Sequence, residues 1–363
     1  MGKGSVTMDK EFENINIAAR PWTKNRLPRR ILAIRLQAMG DLAASLPYLQ
    51  DLRNSLPSTA KLDLLTREEI DDLPKNISLF DKVFSIGGGR DFKKQLISTF
   101  FLLPKLLIQR YDAVIDLQNN NISGIVRKVV SPRAWSAFDR FSPVPGGERY
   151  RLTIEAAGLG NNKAANKISL KFPEWGETIL KNNGWGQQNE LIVLNPAAAF
   201  PTRNWDIHNY GAFANLWLHE FPQTQFLVMG TSFISSKADF LKQQLREKLI
   251  NLIGKTTPSQ AFAILQKVKL VLSEDSGLMH MAWGSGIPTL GLFGSTRTDQ
   301  VRPLGEHTFF LDSSDLPCGG CMQEVCQFGD VHCLTRYSPE FVFHCALSLI
   351  KKLQGTEKIT VFR

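Results

Sequence analysis

Apolar and polar positions along the chain fall into two rounds of one pattern. In the first round, short apolar runs of the kind that form buried strands stand at ILAIRL (31–36), KLDLLT (61–66), KVFSI (82–86) and DAVIDL (112–117). Between them lie DLAASLPYLQDLRNSL (41–56), with helical spacing, and LISTFFLLPKLLI (96–108), a longer apolar segment broken by Pro104 and Lys105. A loop-rich stretch, 131–160, follows, and then FPEWGETILKNNGWGQQN (172–189), a helix running into a polar link. The second round places strands at LIVLNP (191–196), QFLVMG (225–230), LINLIG (249–254), KLVLS (269–273) and IPTLGLFG (287–294). Helices are predicted between them at 207–220 and 235–248, and a last one at 339–353. Fully apolar strands alternating with helices predict parallel sheets covered on both faces.

The expectation is therefore an α/β chain of two doubly wound units, which its 363 residues also favour over a single core. The boundaries fall as a polar leader at 1–30, a first domain at 31–180, a second at 181–345 and a terminal helix and tail at 346–363. Two such units facing each other make a cleft at the carboxyl ends of both sheets, where open α/β folds bind ligands. Neither unit carries a G-x-G-x-x-G turn after its first strand, which argues against a nicotinamide-dependent enzyme.

Charge narrows the partners. Lys and Arg number 43 against 34 Asp and Glu, a formal excess of +9 that favours anionic ligands. The leader has no apolar core and no run reaches the length of a membrane span, so a cytoplasmic protein is expected. The 96–108 segment reads as a half-buried helix, with attachment to the inner membrane surface as the alternative.

Chemistry concentrates at SEDSGLMHMAWGSGIPTLGLFGST (273–296). Here a strand ends at a corner where Asp275 or Ser276 can cap the next helix through a side-chain oxygen. The first helical turn leaves backbone N–H groups free, and the helix dipole adds positive charge. Gly277 lets an anion approach that backbone, and His280 lies one turn further in. A capped core helix with a buried histidine fits the same residues.

This stretch resembles the donor-binding signature of glycosyltransferase family 9, the ADP-heptose:lipopolysaccharide heptosyltransferases. A second match is ILAIRLQAMGDLAASLPYLQDLRNSLPSTAKLDLLT (31–66), similar to that family's first strand, Gly-Asp turn and helix. The resemblance implies a GT-B fold, two Rossmann-like doubly wound domains across a cleft, and an inverting transferase. It makes Asp41 the general base and assigns the donor diphosphate to Gly40, Asp275, Ser276, Gly277, Leu278 and His280. LNPAAAFPTRNWD (194–206) supplies Arg203 where the family usually has a lysine before the tryptophan, and arginine keeps the charge. No glutamate follows Gly230 to reach a donor ribose, as one often does in the family; Ser235 or Ser236 stands there instead. The implied donor is ADP-heptose and the implied acceptor a lipopolysaccharide inner-core glycan. A protein O-heptosyltransferase, or a transferase for another nucleotide sugar, shares these residues. No divalent cation is expected for catalysis, because Arg203, His280 and the helix N-terminus supply positive charge.

Four of the five cysteines lie in CGGCMQEVCQFGDVHC: Cys318, Cys321, Cys326 and Cys333. The spacing favours a four-thiolate structural site for zinc or iron over free thiols. Gly319 and Gly320 would let the loop wrap an ion, and His332 is an alternative ligand. A basic zinc-containing nucleic-acid-binding protein is the competing reading. The scattered Lys and Arg and the lack of an aromatic-basic platform weigh against it, and no nucleic-acid partner is expected.

Overall fold

The computed structural model describes residues 17–142, 144–160, 164 and 167–355. Its first sheet is built from β1 (Ala19–Arg20), β2 (Arg30–Ile34), β3 (Lys61–Arg67), β4 (Lys82–Ile86), β5 (Ala113–Asp116) and β6 (Ala134–Ala137). The order is β1-β6-β5-β2-β3-β4, all parallel except the edge strand β1, which pairs antiparallel with β6. Helices α1 (Met39–Ser55), α2 (Asp72–Asn76), α3 (Phe92–Gln109), α4 (Asn121–Val130), α5 (Gly146–Ala156) and α6 (Glu174–Asn182) connect and follow these strands.

The second sheet is wholly parallel: β7 (Glu190–Asn195), β8 (Thr224–Gly230), β9 (Leu249–Ile253), β10 (Leu270–Glu274), β11 (Thr289–Leu292) and β12 (Thr308–Leu311). Its order is β12-β11-β10-β7-β8-β9. Around it lie α7 (Ile207–Glu220), α8 (Ser235–Leu245), α9 (Pro258–Leu265), α10 (Gly277–Gly284), α11 (Thr298–Val301), α12 (His332–Thr335) and α13 (Pro339–Leu353). The two strand orders are the same winding repeated. Each reverses direction once, between β2 and β5 and between β7 and β10, and that reversal opens the ligand crevice of a doubly wound sheet.

The strands expected from apolar runs are present within two residues of their predicted ends, and Ile31 to Ile34 are fully buried. Parts of the chain depart from the reading, the unexpected strand β12 among them. The leader contributes β1. The stretch 131–160 holds β6 and α5 rather than loop alone. The terminal helix spans Pro339–Leu353 as expected and packs on α7, so it is the 345/346 domain boundary that falls inside an element.

Between the sheets, α1 packs on α10 and α6 and α2 pack on α9. Small residues allow the first contact. A Cβ on Gly40 would lie 2.9 Å from His280 Cδ2 and 3.4 Å from Gly277 Cα, and one on Gly284 would lie 2.9 Å from the Ala43 carbonyl. Further along the seam, Asp72 accepts a hydrogen bond from the Ser259 amide at 2.7 Å.

Candidate active site

The chain leaving β2 carries Arg35, buried although charged, and then turns into α1. Gln118 Oε1 fixes this turn by accepting from the Leu36 and Gln37 amides at 3.0 and 3.1 Å. Asp41 lies in the first turn of α1. It is not the N-cap, a position held by Ala38; its carboxylate reaches back to accept the Ala38 N–H at 3.0 Å. The same oxygen meets Arg35 Nη2 at 2.8 Å, and Tyr150 Oη donates to the other oxygen at 3.3 Å. Arg35 lies against the stacked Phe138–Tyr150 pair, 5.4 Å from each ring centroid. Half of the Asp41 side chain remains open to solvent (51%), so a hydroxyl can reach it. Burial pushes its pKa up, but Arg35, the Ala38 amide and His280 outweigh that and hold the carboxyl below its ordinary range. It is ionised at neutral pH.

At the corresponding corner after β10, the N-cap of α10 is Ser276, which accepts the Met279 N–H at 3.3 Å. Asn195, at the end of β7, donates to Ser276 Oγ at 2.6 Å and to Ser273 Oγ at 2.7 Å. Asp275 does not cap. It accepts from Arg203 at 3.2 Å and Thr296 at 2.9 Å and lies 3.9 Å from His280 Nε2. Leu278 is buried behind the corner, and Gly277 abuts Gly40 across the seam. Burial lowers the His280 pKa against the pull of Asp275 and Asp41, so the imidazole is neutral at neutral pH. Three buried polar atoms here have no protein partner among the described residues: His280 Nδ1, Arg203 Nε and Asn195 Oδ1. Buried polar atoms are nearly always paired, so three at one corner point to a polar ligand.

All the residues expected at the two corners, Gly40, Asp41, Arg203, Asp275, Ser276, Gly277, Leu278 and His280, therefore gather at one seam. Arg35, Tyr150, Asn195 and Thr296 belong to the same constellation and were not singled out from the sequence. A lone Arg closing an apolar strand was a usable signal for Arg35. Tyr150, 109 residues from Asp41, had none. Ser235 and Ser236 open α8, and it is Lys237 that turns toward the Arg203 loop, donating to the Pro196 carbonyl at 2.8 Å. Beneath that loop, buried Glu274 accepts the Ala198 and Trp205 amides at 2.9 and 2.7 Å. Burial raises its pKa to about 7 despite Lys237 and those amides.

Cys318, Cys321, Cys326, Cys333 and His332 line one pocket of about 370 Å³. Cys318 Sγ lies 3.3 Å from His332 Nε2. The Cys333 thiol is pushed up by burial and by the three other thiols, while the Phe328, Val331 and Gly329 amides lower that of Cys326. Among the described residues, no three His, Cys, Asp or Glu side chains are placed as a ready metal site. The thiols and sulfur-directed amides still fit a soft cation in donor type and number. A Cβ on Gly319 would fall 1.7 Å from the Ser313 carbonyl, and Gly320 has φ +62°, so this loop needs both glycines. The loop also abuts the Arg203 segment: Met322 N donates to Ser295 O at 2.8 Å, and Thr202 Oγ1 donates to the Gln323 carbonyl.

The family model for glycosyltransferase family 9 (heptosyltransferase) matches residues 147–332, a little over half of the chain. The chain belongs to glycosyltransferase family 9. Among curated relatives, lipooligosaccharide heptosyltransferase 2 of Campylobacter jejuni is 28% identical over 190 residues, 51% of this chain and 57% of that protein. The match thus spans a little over half of the relative's length. Among solved structures, E. coli ADP-heptose LPS heptosyltransferase II superposes with a TM-score of 0.71 at 19% identity, covering 90% of this chain and 99% of that one. The iron-containing dodecameric glycosyltransferase TibC of enterotoxigenic E. coli gives 0.50 at 12% identity, over 90% and 77% of the two chains. These likenesses establish the GT-B arrangement of two Rossmann-like domains for this family 9 chain.

Proposed function

We propose that this protein is an inverting glycosyltransferase that moves heptose from ADP-heptose to a lipid-linked glycan, the inner core of lipopolysaccharide. The observation that carries the reading is the meeting of Gly40-Asp41 with Gly277 and His280 at the seam, each at the crevice of its own sheet. A half-exposed, ionised carboxylate on one side and a positively polarised helix start on the other suit one displacement. The acceptor hydroxyl gives its proton to Asp41 as its oxygen bonds to the anomeric carbon. The bond from that carbon to the diphosphate breaks, and ADP leaves with the electron pair. Arg203, the first amides of α10 and a His280 N–H stabilise the charge growing on the leaving oxygen. Arg35 and Tyr150 hold Asp41 in place.

That cationic set performs the role of a divalent cation, and the transfer is read as independent of one. The ADP-heptose named for the similar E. coli enzyme supports the donor. The lipopolysaccharide and lipooligosaccharide acceptors of the relatives support a site of action at the cytoplasmic face of the inner membrane. The four cysteines would hold an iron or zinc ion as a closed structural site, and the iron in TibC favours iron. Such an ion would keep the 318–333 loop folded against Thr202 and Ser295.

A thermal-shift series with ADP-heptose, ADP-glucose, UDP-sugars and GDP-sugars tests the donor. ADP-heptose should raise the melting temperature most, with ADP second. A larger shift from a UDP- or GDP-sugar would replace the donor assignment.

A further inference from the structure

Helix α3 leaves most of its surface open. Only Thr99 and Leu106 of its 18 residues are buried. Ile97 is 58% exposed, Phe100 68%, Phe101 72% and Ile108 75%, and they recur at intervals of three, four and seven residues along one face. Leu96 and Leu107 widen the face. Contiguous apolar exposure on this scale marks an interaction surface.

The polar residues specify the partner. FKKQLISTFFLLPKLLIQ contains Lys93, Lys94 and Lys105 and no acidic residue, and Arg90 and Arg110 flank it. None of the three lysines forms an ion pair among the described residues. Asp91 is spent on capping, accepting the Lys93 and Lys94 amides at 2.9 and 3.1 Å. Bulky apolar side chains bordered by unpaired cations match an anionic bilayer, where the rings enter the acyl boundary and the lysines meet headgroups. A second copy of the chain fits less well, since a two-fold contact on this face would bring like charges together. The helix does not span: no helix among the described residues is long and apolar enough to cross a membrane.

Position gives the surface a purpose. α3 begins just past the carboxyl end of β4, on the side of the sheet that holds Asp41. Its first residue, Phe92, lines a polar pocket of about 340 Å³ together with Gln95, Asn119, Asn121 and Arg140. Next to Arg140, Phe141 is 90% exposed, a second apolar anchor from a different element.

We infer that the exposed face of α3, with Phe141, docks the protein on an anionic lipid surface and sets the acceptor side of the cleft at headgroup level. The purpose rests on the reading of a lipid-linked acceptor, whereas the docking is tested without donor or acceptor. Full-length protein is sedimented with phosphatidylcholine vesicles and with vesicles also containing phosphatidylglycerol. Wild type should partition to the anionic vesicles and fall off as salt rises. Lys93→Gln, Lys94→Gln and Lys105→Gln together should weaken binding roughly 100-fold, about fivefold per charge. Phe100→Ser with Phe101→Ser should weaken it by about tenfold or more, and both variants should keep wild-type ADP binding. The inference is overturned if wild type ignores anionic vesicles or if the variants bind them equally well. It is also overturned if light scattering shows a wild-type dimer that the phenylalanine variant dissociates, which would give the face to a second copy. A vesicle-binding protein that fails to use ADP-heptose would instead refute the functional reading alone.

Discussion

The corner after β2 and the corner after β10 are the same device with opposite polarity. Each is a strand end turning into a helix at the reversal point of its sheet, and the two helix starts touch through glycines. The first turn of α1 is occupied by its own carboxylate, Asp41, which satisfies the Ala38 amide, is held by Arg35 and Tyr150, and stays half exposed to take a proton. In α10 the cap is a neutral serine, and the nearby acid, Asp275, is committed to Arg203 and Thr296. One corner thus presents negative charge to a nucleophile and the other presents amides and a guanidinium to an anion. The lesson is that position in the fold makes a crevice, while the choice of capping residue decides what the crevice attracts.

Arg203 supports the second corner's polarity most directly. Arg203→Met should lower kcat/KM by roughly 10²–10³ and weaken ADP binding, because it removes charge facing the leaving group. Steady-state kinetics with calorimetry would show this. A loss confined to acceptor KM would remove Arg203 from the diphosphate side.

Arg35 tests the first corner. Asp41 is held low chiefly by Arg35, against burial, so its carboxylate state is favoured down to below the ordinary aspartate range. As pH falls through that lowered pKa, both the base and the stabilisation from the ion pair are lost; above the unfolded value both are fully present. The acid limb of kcat/KM should therefore lie below about pH 4. In Arg35→Met burial is no longer opposed by the guanidinium, and the limb should move to higher pH. An unmoved limb would mean that the pair does not tune Asp41.

Glu274 lies beneath the Arg203 loop and should act on stability. Its folded pKa is raised to about 7, so folding favours the neutral acid. That contribution is full below the unfolded value near 4.5 and is lost as pH rises through about 7. Glu274→Gln should flatten this dependence in thermal melts. It should also cost about 1–3 kcal/mol, since an amide N–H₂ would face one of the two backbone donors. A variant with the wild-type pH slope would rule out this assignment.

The sequence made the frame legible because buried parallel strands are continuous apolar runs; Ile207–Glu220 and Pro339–Leu353 were placed to the residue. It hid β6 and β12, four residues each, in which Ala-Trp-Ser-Ala and Thr-Phe-Phe-Leu are too short to outweigh the loops around them. Local motifs revealed Asp41, Ser276 and His280 for the same reason that they revealed the corners. Tyr150 and Asn195 joined the site only through tertiary contact, which no local pattern encodes. The cysteine spacing revealed the thiol pocket but not its attachment to Thr202 and Ser295.

The central claim is that the two corners act on opposite ends of one displacement. Asp41→Asn, assayed for turnover of ADP-heptose and, by calorimetry, for ADP affinity, separates them most directly. The account predicts turnover lower by about 10²–10⁴ with ADP affinity within a few fold of wild type. Near-wild-type turnover, or an equal loss in turnover and ADP affinity, would contradict it.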